Sequence, residues 1–187
     1  MKKLVAALAL LALAIPVHAA RKVGGVEFQD TIDVDGTKLA LNGAGLRKRF
    51  VVKVYAGGLY LAEPSKDANA VVASDTPKRV RMVFLRGVSR DQVMGAYREG
   101  FEKNSGGANL AALLKKLEQV STAIPGELRE GSEMFVTYVP GTGTTVAAAG
   151  GGKPVTVEGK DFADAMFRNW LGPQPADENL KTAMLGR

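Results

Sequence analysis

Cysteine is absent from this sequence of 187 residues, and histidine occurs once, at position 18. Lack of cysteine excludes disulfides, thiol nucleophiles and thiolate metal ligands. His18 itself falls in a stretch with the marks of an export signal. Lys2 and Lys3 make a basic start, residues 4–15 form an apolar run rich in Leu and Ala, and Val17 and Ala19 place small residues at the third and first positions before a cut. Cleavage before Ala20 is expected. The remaining chain then has neither His nor Cys, so the commonest zinc sites and Ser–His–Asp triads are excluded. Any chemistry falls to Tyr, Ser, Thr, Lys, Arg, Asp and Glu, and the residues imply no metal site and no cofactor.

A long hydrophobic run is also missing. Residues 4–15 are shorter than the ~20 apolar residues of a spanning helix and Pro16 interrupts their end, so processing is expected rather than anchoring, with delivery to the periplasm or beyond. Aromatic residues make up 6% of the chain. The basic residues are spread out with few aromatics among them, which excludes a nucleic-acid stripe. Without Lys2 and Lys3, 23 basic residues face 19 acidic ones, a balance of +4. That mild excess suits a carboxylate ligand or peripheral contact with an anionic membrane. Residues 20–187 are the right length for one domain with its own core.

What is present reads as strands, two helices, strands and closing helices. Strands are expected at 23–28, 38–41 and 48–62, with a turn at Gly36. In the third, both faces are largely apolar, so it must be covered on two sides, by helices or by a ligand. Gly57 and Gly58 mark a bulge or a close approach to the backbone. Residues 64–77 read as a loop. At 78–86 the pattern alternates, with Val80, Met82 and Phe84 on one face and Arg79 and Arg81 on the other, where they read as surface charges that could meet a lipid headgroup.

Ser89 and Gln92 form a capping box for a helix over 90–103, whose buried face carries Val93, Ala96, Tyr97 and Phe101. Leu110, Leu113, Leu114, Leu117 and Val120 stripe a second helix. A meander is expected at 133–139, 144–149 and 154–158, then helices around 162–170 and 177–185. The sequence Gly141-Thr142-Gly143-Thr144 is a hairpin turn rather than a phosphate loop, since no Gly-Lys-Ser/Thr follows.

Three segments in order resemble the chalcone isomerase-like family, in its bacterial exported branch. They are the stretch Leu41-Asn42-Gly43-Ala44-Gly45-Leu46-Arg47 running into Lys53-Val54-Tyr55-Ala56-Gly57-Gly58-Leu59-Tyr60-Leu61, the helix from Ser89, and Trp170-Leu171-Gly172-Pro173 with the helix after it. The resemblance implies an α+β fold: a large antiparallel sheet with a helical layer on one face, an open-faced β-sandwich holding a cleft between the layers. Plant members close a flavonoid ring from a chalcone, and other members bind fatty acids without catalysis, using a buried Arg and nearby Tyr. Aligned on Tyr60-Leu61, the plant catalytic Thr falls on Tyr55, the Arg is matched by Arg47, and the helix Tyr and Asn fall near Val93 and Gly100. Most of the ring-closing donors are therefore missing, and losing one donor to a developing oxyanion can cost ~10²-fold or more in rate.

The expectation is a noncatalytic protein that binds a fatty acid or other apolar carboxylate. Its ligand contacts would be Arg47, Tyr55 and Tyr97, and no catalytic residue is assigned. Arg49 shares the anchor position with Arg47, and Tyr97 also reads as core, as Trp170 does as a structural plug. Two rivals stand beside this reading. One is an isomerase acting on a small enone, with Tyr55 as general acid and Arg47 as stabiliser. The other is a structural or partner-binding envelope protein whose cleft is filled by side chains.

Overall fold

The computed structural model describes residues 20–187 apart from Ala108, and the expected signal at residues 1–19 lies outside them. The strands are β1 (Arg21–Val23), β2 (Val26–Phe28), β3 (Thr31–Val34), β4 (Thr37–Arg49), β5 (Val52–Leu61), β6 (Lys78–Phe84), β7 (Val88–Ser89), β8 (Glu127–Leu128), β9 (Glu133–Val139), β10 (Gly143–Ala148) and β11 (Val155–Val157). The helices are α1 (Ala68–Ala73), α2 (Arg90–Asn104), α3 (Leu110–Val120), α4 (Lys160–Leu171) and α5 (Glu178–Met184). Seven strands form one antiparallel sheet in the order β11-β10-β9-β6-β5-β4-β3. The architecture is the α+β one expected, a large antiparallel sheet under a layer of helices.

Side-chain alternation in β5 assigns the two faces. Tyr55, Leu59 and Leu61 join the main core with Val80, Met82 and Phe84 of β6, Val93, Tyr97 and Phe101 of α2, Leu113 and Leu117 of α3, and Phe162, Met166 and Trp170 of α4. Ala56 and Tyr60 point the other way into a smaller cluster with Phe28, Val34 and Leu39. The second cover of the double-apolar strand is thus the chain's own β1–β2 hairpin, which puts Phe28 over Gly58. A Cβ at Gly58 would lie 2.6 Å from the Phe28 ring. Arg79 and Arg81 are corrected with it: they are not free surface charges. Arg81 donates to both carboxylate oxygens of Glu133 (3.1 and 2.7 Å) and to Glu27 O (2.8 Å), with its guanidinium 5.2 Å from the Phe28 ring centre, and Arg79 donates to Thr137 Oγ1 at 2.7 Å.

Several elements differ from the sequence expectation, the two-residue strands β7 and β8 among them. Residues 23–28 fold back at Gly24-Gly25, both at positive φ, into two short strands. β3 escaped notice because only four residues carry it. Residues 64–77 contain α1, capped at its start by Asp67, whose carboxylate accepts from Asn69 N and Ala70 N. Its far end is held by buried Lys78, whose Nζ donates to Val71 O, Val72 O and Ser74 O. The expected strand 48–62 is interrupted by a two-residue turn at Phe50-Val51, and β4 runs into that turn through residues 42–47. No Gly, Asn or Asp announces the turn, and Phe50 itself takes φ 55°.

The glycines of β4 admit α5. A Cβ at Gly43 would meet Ala183 O at 2.0 Å, and one at Gly45 would meet Ala183 Cβ at 2.6 Å. Asn42, in the bulge between Leu41 and Gly43, donates to Ser65 O (2.9 Å) and Met184 O (2.8 Å) and accepts from Ser65 N (2.8 Å). A Gly43→Ala substitution is expected to destabilise the fold by ~3 kcal/mol, at the upper end for overpacking because backbone is what must yield. Urea unfolding should show a lower midpoint at unchanged slope.

Candidate functional site

The expected site residues converge from separate elements. Arg47 and Tyr55 are direct cross-strand partners in β4 and β5, so their side chains emerge on one face. A second bulge, whose extra residue is Val54 of β5, shifts the register between Arg47 and Lys48, and Asp177 accepts the Lys48 N–H there at 2.8 Å while also capping α5 through Leu180 N at 2.9 Å. One carboxylate therefore fixes both the helix start and the place where Arg47 leaves the sheet. The Arg47 guanidinium lies 5.7 Å from the centre of the Tyr55 ring.

Tyr55 is buried, and its hydroxyl accepts the indole N–H of Trp170 at 2.8 Å. Tyr97 comes from α2 and meets Trp170 edge-on, with ring centres 5.9 Å apart. Among the described residues its hydroxyl has no hydrogen-bond partner, and neither does Arg47 Nε, although both atoms are buried. Burial raises the pKa of Tyr55 against the opposing pull of Arg47 and of the Trp170 hydrogen bond. Burial also raises that of Tyr97, with Tyr55 adding to the rise and Arg47 opposing it. Both phenols stay protonated at neutral pH.

These groups border a cleft of about 740 Å³ between the sheet and α2. Val54, Met82, Phe84, Val93 and Trp170 supply apolar wall. Arg47, Lys48, Arg49, Arg86 and Lys103 line it as well, against the single carboxylate of Glu99. That carboxylate is held below its usual range chiefly by its hydrogen bond to Lys103. The volume lies within the ~300–1,000 Å³ of small-molecule pockets. Unpaired donors over an apolar wall can receive the oxygens of one anionic head with a hydrocarbon body behind it.

Sequence reasoning missed three participants. Trp170 is more than a plug, since its N–H occupies one lone pair of Tyr55. Asp177 sets the exit of Arg47. Asn169 is buried in the cleft wall, with its carboxamide oxygen 1.8 Å from where a Cβ on Gly100 would sit, and its nitrogen is committed to Met166 O at 2.8 Å. Only Gly100, a residue without a side chain on the inner wall of α2, hinted that another group needed the space. Arg49, at the mouth, is exposed.

One family profile matches residues 20–186 under the description chalcone isomerase-like. The chain belongs to the chalcone isomerase-like family. Among solved structures 38 chains match it, so the fold assignment does not depend on a single likeness. One is the crystal structure of a fatty-acid binding protein of Arabidopsis thaliana, 18% identical, with a TM-score of 0.62 over 86% of this chain and 92% of that one. At that identity the likeness establishes the fold. No curated protein sequence matches the chain.

The two cleft tyrosines should respond oppositely to loss of the hydroxyl. Tyr55→Phe strands the buried Trp170 N–H and is expected to cost ~1–3 kcal/mol, whereas Tyr97→Phe removes an unpaired buried hydroxyl and should be neutral or stabilising in the ligand-free protein. Urea unfolding of both variants measures the contrast.

Proposed function

We propose that this protein binds a fatty acid or similar apolar carboxylate in the cleft without transforming it, with Arg47, Tyr55 and Tyr97 at the polar end. The observation that carries the proposal is that, of the five buried side-chain polar atoms without a partner among the described residues, the two on residues that border the cleft are both donors, Arg47 Nε and the Tyr97 hydroxyl. Buried polar groups are otherwise almost always paired, and each one left unpaired costs on the order of 1–3 kcal/mol. A carboxylate would accept from both. Tyr55 adds a third donor, because Trp170 occupies its oxygen and leaves the O–H to point elsewhere. The fatty-acid binding protein of Arabidopsis thaliana with this fold supports the ligand class.

The enone isomerase reading uses the same cleft. It is disfavoured as a mechanism because the pKa of Tyr55 rises, away from the operating pH that suits a general acid. Turnover of an enone by the protein would reinstate it. The open volume beside Arg47 weighs against a structural protein whose cleft is packed with side chains.

We also propose that the protein is exported and belongs to the family's bacterial exported branch. The basic, apolar and small-residue pattern of residues 1–19 supports this, as does the family match beginning at residue 20, the first residue after the expected cut. The intact mass of protein recovered from the cell envelope should correspond to a chain starting at Ala20. A full-length mass would overturn export by cleavage.

Native mass spectrometry of the protein purified from its own compartment should reveal a fatty-acid-sized adduct. Arg47→Ala should reduce its occupancy at least tenfold, the loss of one charge-assisted contact of roughly 1.5–3 kcal/mol. Absence of any adduct from both proteins would sink the binding reading.

A further inference from the structure

Among the described residues, the exposed large hydrophobic side chains are three consecutive ones: Phe50 at 93% exposure, Val51 at 91% and Val52 at 43%. They form the end of the β4–β5 hairpin. Lys48, Arg49 and Lys53, all exposed, collar them with positive charge. Phe50 adopts φ 55° at the first turn position, where glycine would sit without strain, so a bulky apolar residue is kept there against the local backbone preference. The fold gains no packing from it.

The place of the tip gives it a use. Lys48, Arg49, Phe50 and Val52 border the same cleft as Arg47, and Arg86 and Lys103 continue the positive rim. Apolar side chains within a cationic collar match the headgroup boundary of an anionic bilayer: Phe and Val enter the acyl edge, and Lys and Arg reach the phosphates. A protein partner fits less well, because two or three side chains at a hairpin end fall far short of the ~800 Å² per partner of a stable interface. A second copy would bring like-charged collars together.

We propose that Phe50 and Val51 dock the protein on an anionic lipid bilayer and hold the cleft mouth against the lipid surface. An apolar carboxylate can then pass between membrane and Arg47 without crossing bulk water. That passage rests on the fatty-acid reading, whereas the docking does not.

The absence of cysteine makes a clean test. Val51→Cys, labelled with a nitrobenzoxadiazole dye, is mixed with vesicles of phosphatidylethanolamine and phosphatidylglycerol, with no fatty acid added. A matched label at Ala73→Cys, in α1 beyond the other end of β5, serves as control. The label at 51 should brighten and shift to the blue with these vesicles, respond far less to phosphatidylcholine alone, and lose the response as salt is raised. The label at 73 should not change. Adding Phe50→Gly, which suits the turn backbone and spares the fold, should weaken vesicle binding about tenfold or more through the lost Phe side chain. No response at 51, an equal response at 73, or a blue shift that follows protein concentration without vesicles would overturn docking. A response at 51 from a protein that carries no fatty-acid adduct would keep the docking and remove only the passage.

Discussion

The seat of α5 on β4 is the constraint on which the rest of the site depends. Helix and strand approach so closely that Gly43 and Gly45 can carry no side chain on that face. Once α5 lies there, Asn42 reaches Met184 O, Asp177 reaches the Lys48 N–H, and both register shifts of the β4–β5 ladder, at Asn42 of β4 and Val54 of β5, have a side-chain hydrogen bond beside them. The second bulge sets how Arg47 leaves the sheet opposite Tyr55. The segment ending in Arg47 and the closing helix, far apart in sequence, are one mechanical unit.

Trp170 joins that unit to the helical layer. Its N–H fills one acceptor position on the Tyr55 hydroxyl, and its ring takes the edge contact of Tyr97. One indole thereby fixes two phenols, one from the sheet and one from α2. The polar end of the cleft is assembled by rigid elements, which suits recognition by preplaced donors better than adjustment around a ligand. Its electrostatic character has the same origin, since burial raises the pKa of both phenols, which sit as neutral donors beside the Arg47 guanidinium.

Much of this was legible in the sequence where a repeating pattern carried it. The alternation in β6, the capping box at Ser89 and Gln92 and the leucine stripe of α3 each predict an element that forms. The two apolar faces of β5 correctly require two covers. The nature of the second cover, the β1–β2 hairpin, was hidden because two three-residue strands have no periodicity to read. The Phe50-Val51 turn was hidden for the opposite reason: its residues favour strand, and only the paired register of β4 and β5 reveals it. Arg47, Tyr55 and Tyr97 were nameable as residues, and the fold brings them to one cleft. The roles of Trp170 and Asp177 were not, since each acts through a contact of long sequence separation, to the Tyr55 hydroxyl and the Lys48 N–H.

The Arg81 clasp on the outer face has a consequence for the order in which the chain can fold. Phe28 precedes in the chain both the Gly58 on which it rests and the arginine above it, which is itself oriented by Glu133. The β1–β2 hairpin is too short to persist alone, so it must wait until β9 has been made and paired with β6. The β1–β2 hairpin is therefore among the last elements to dock, and until then the outer face of β5 stays open to water.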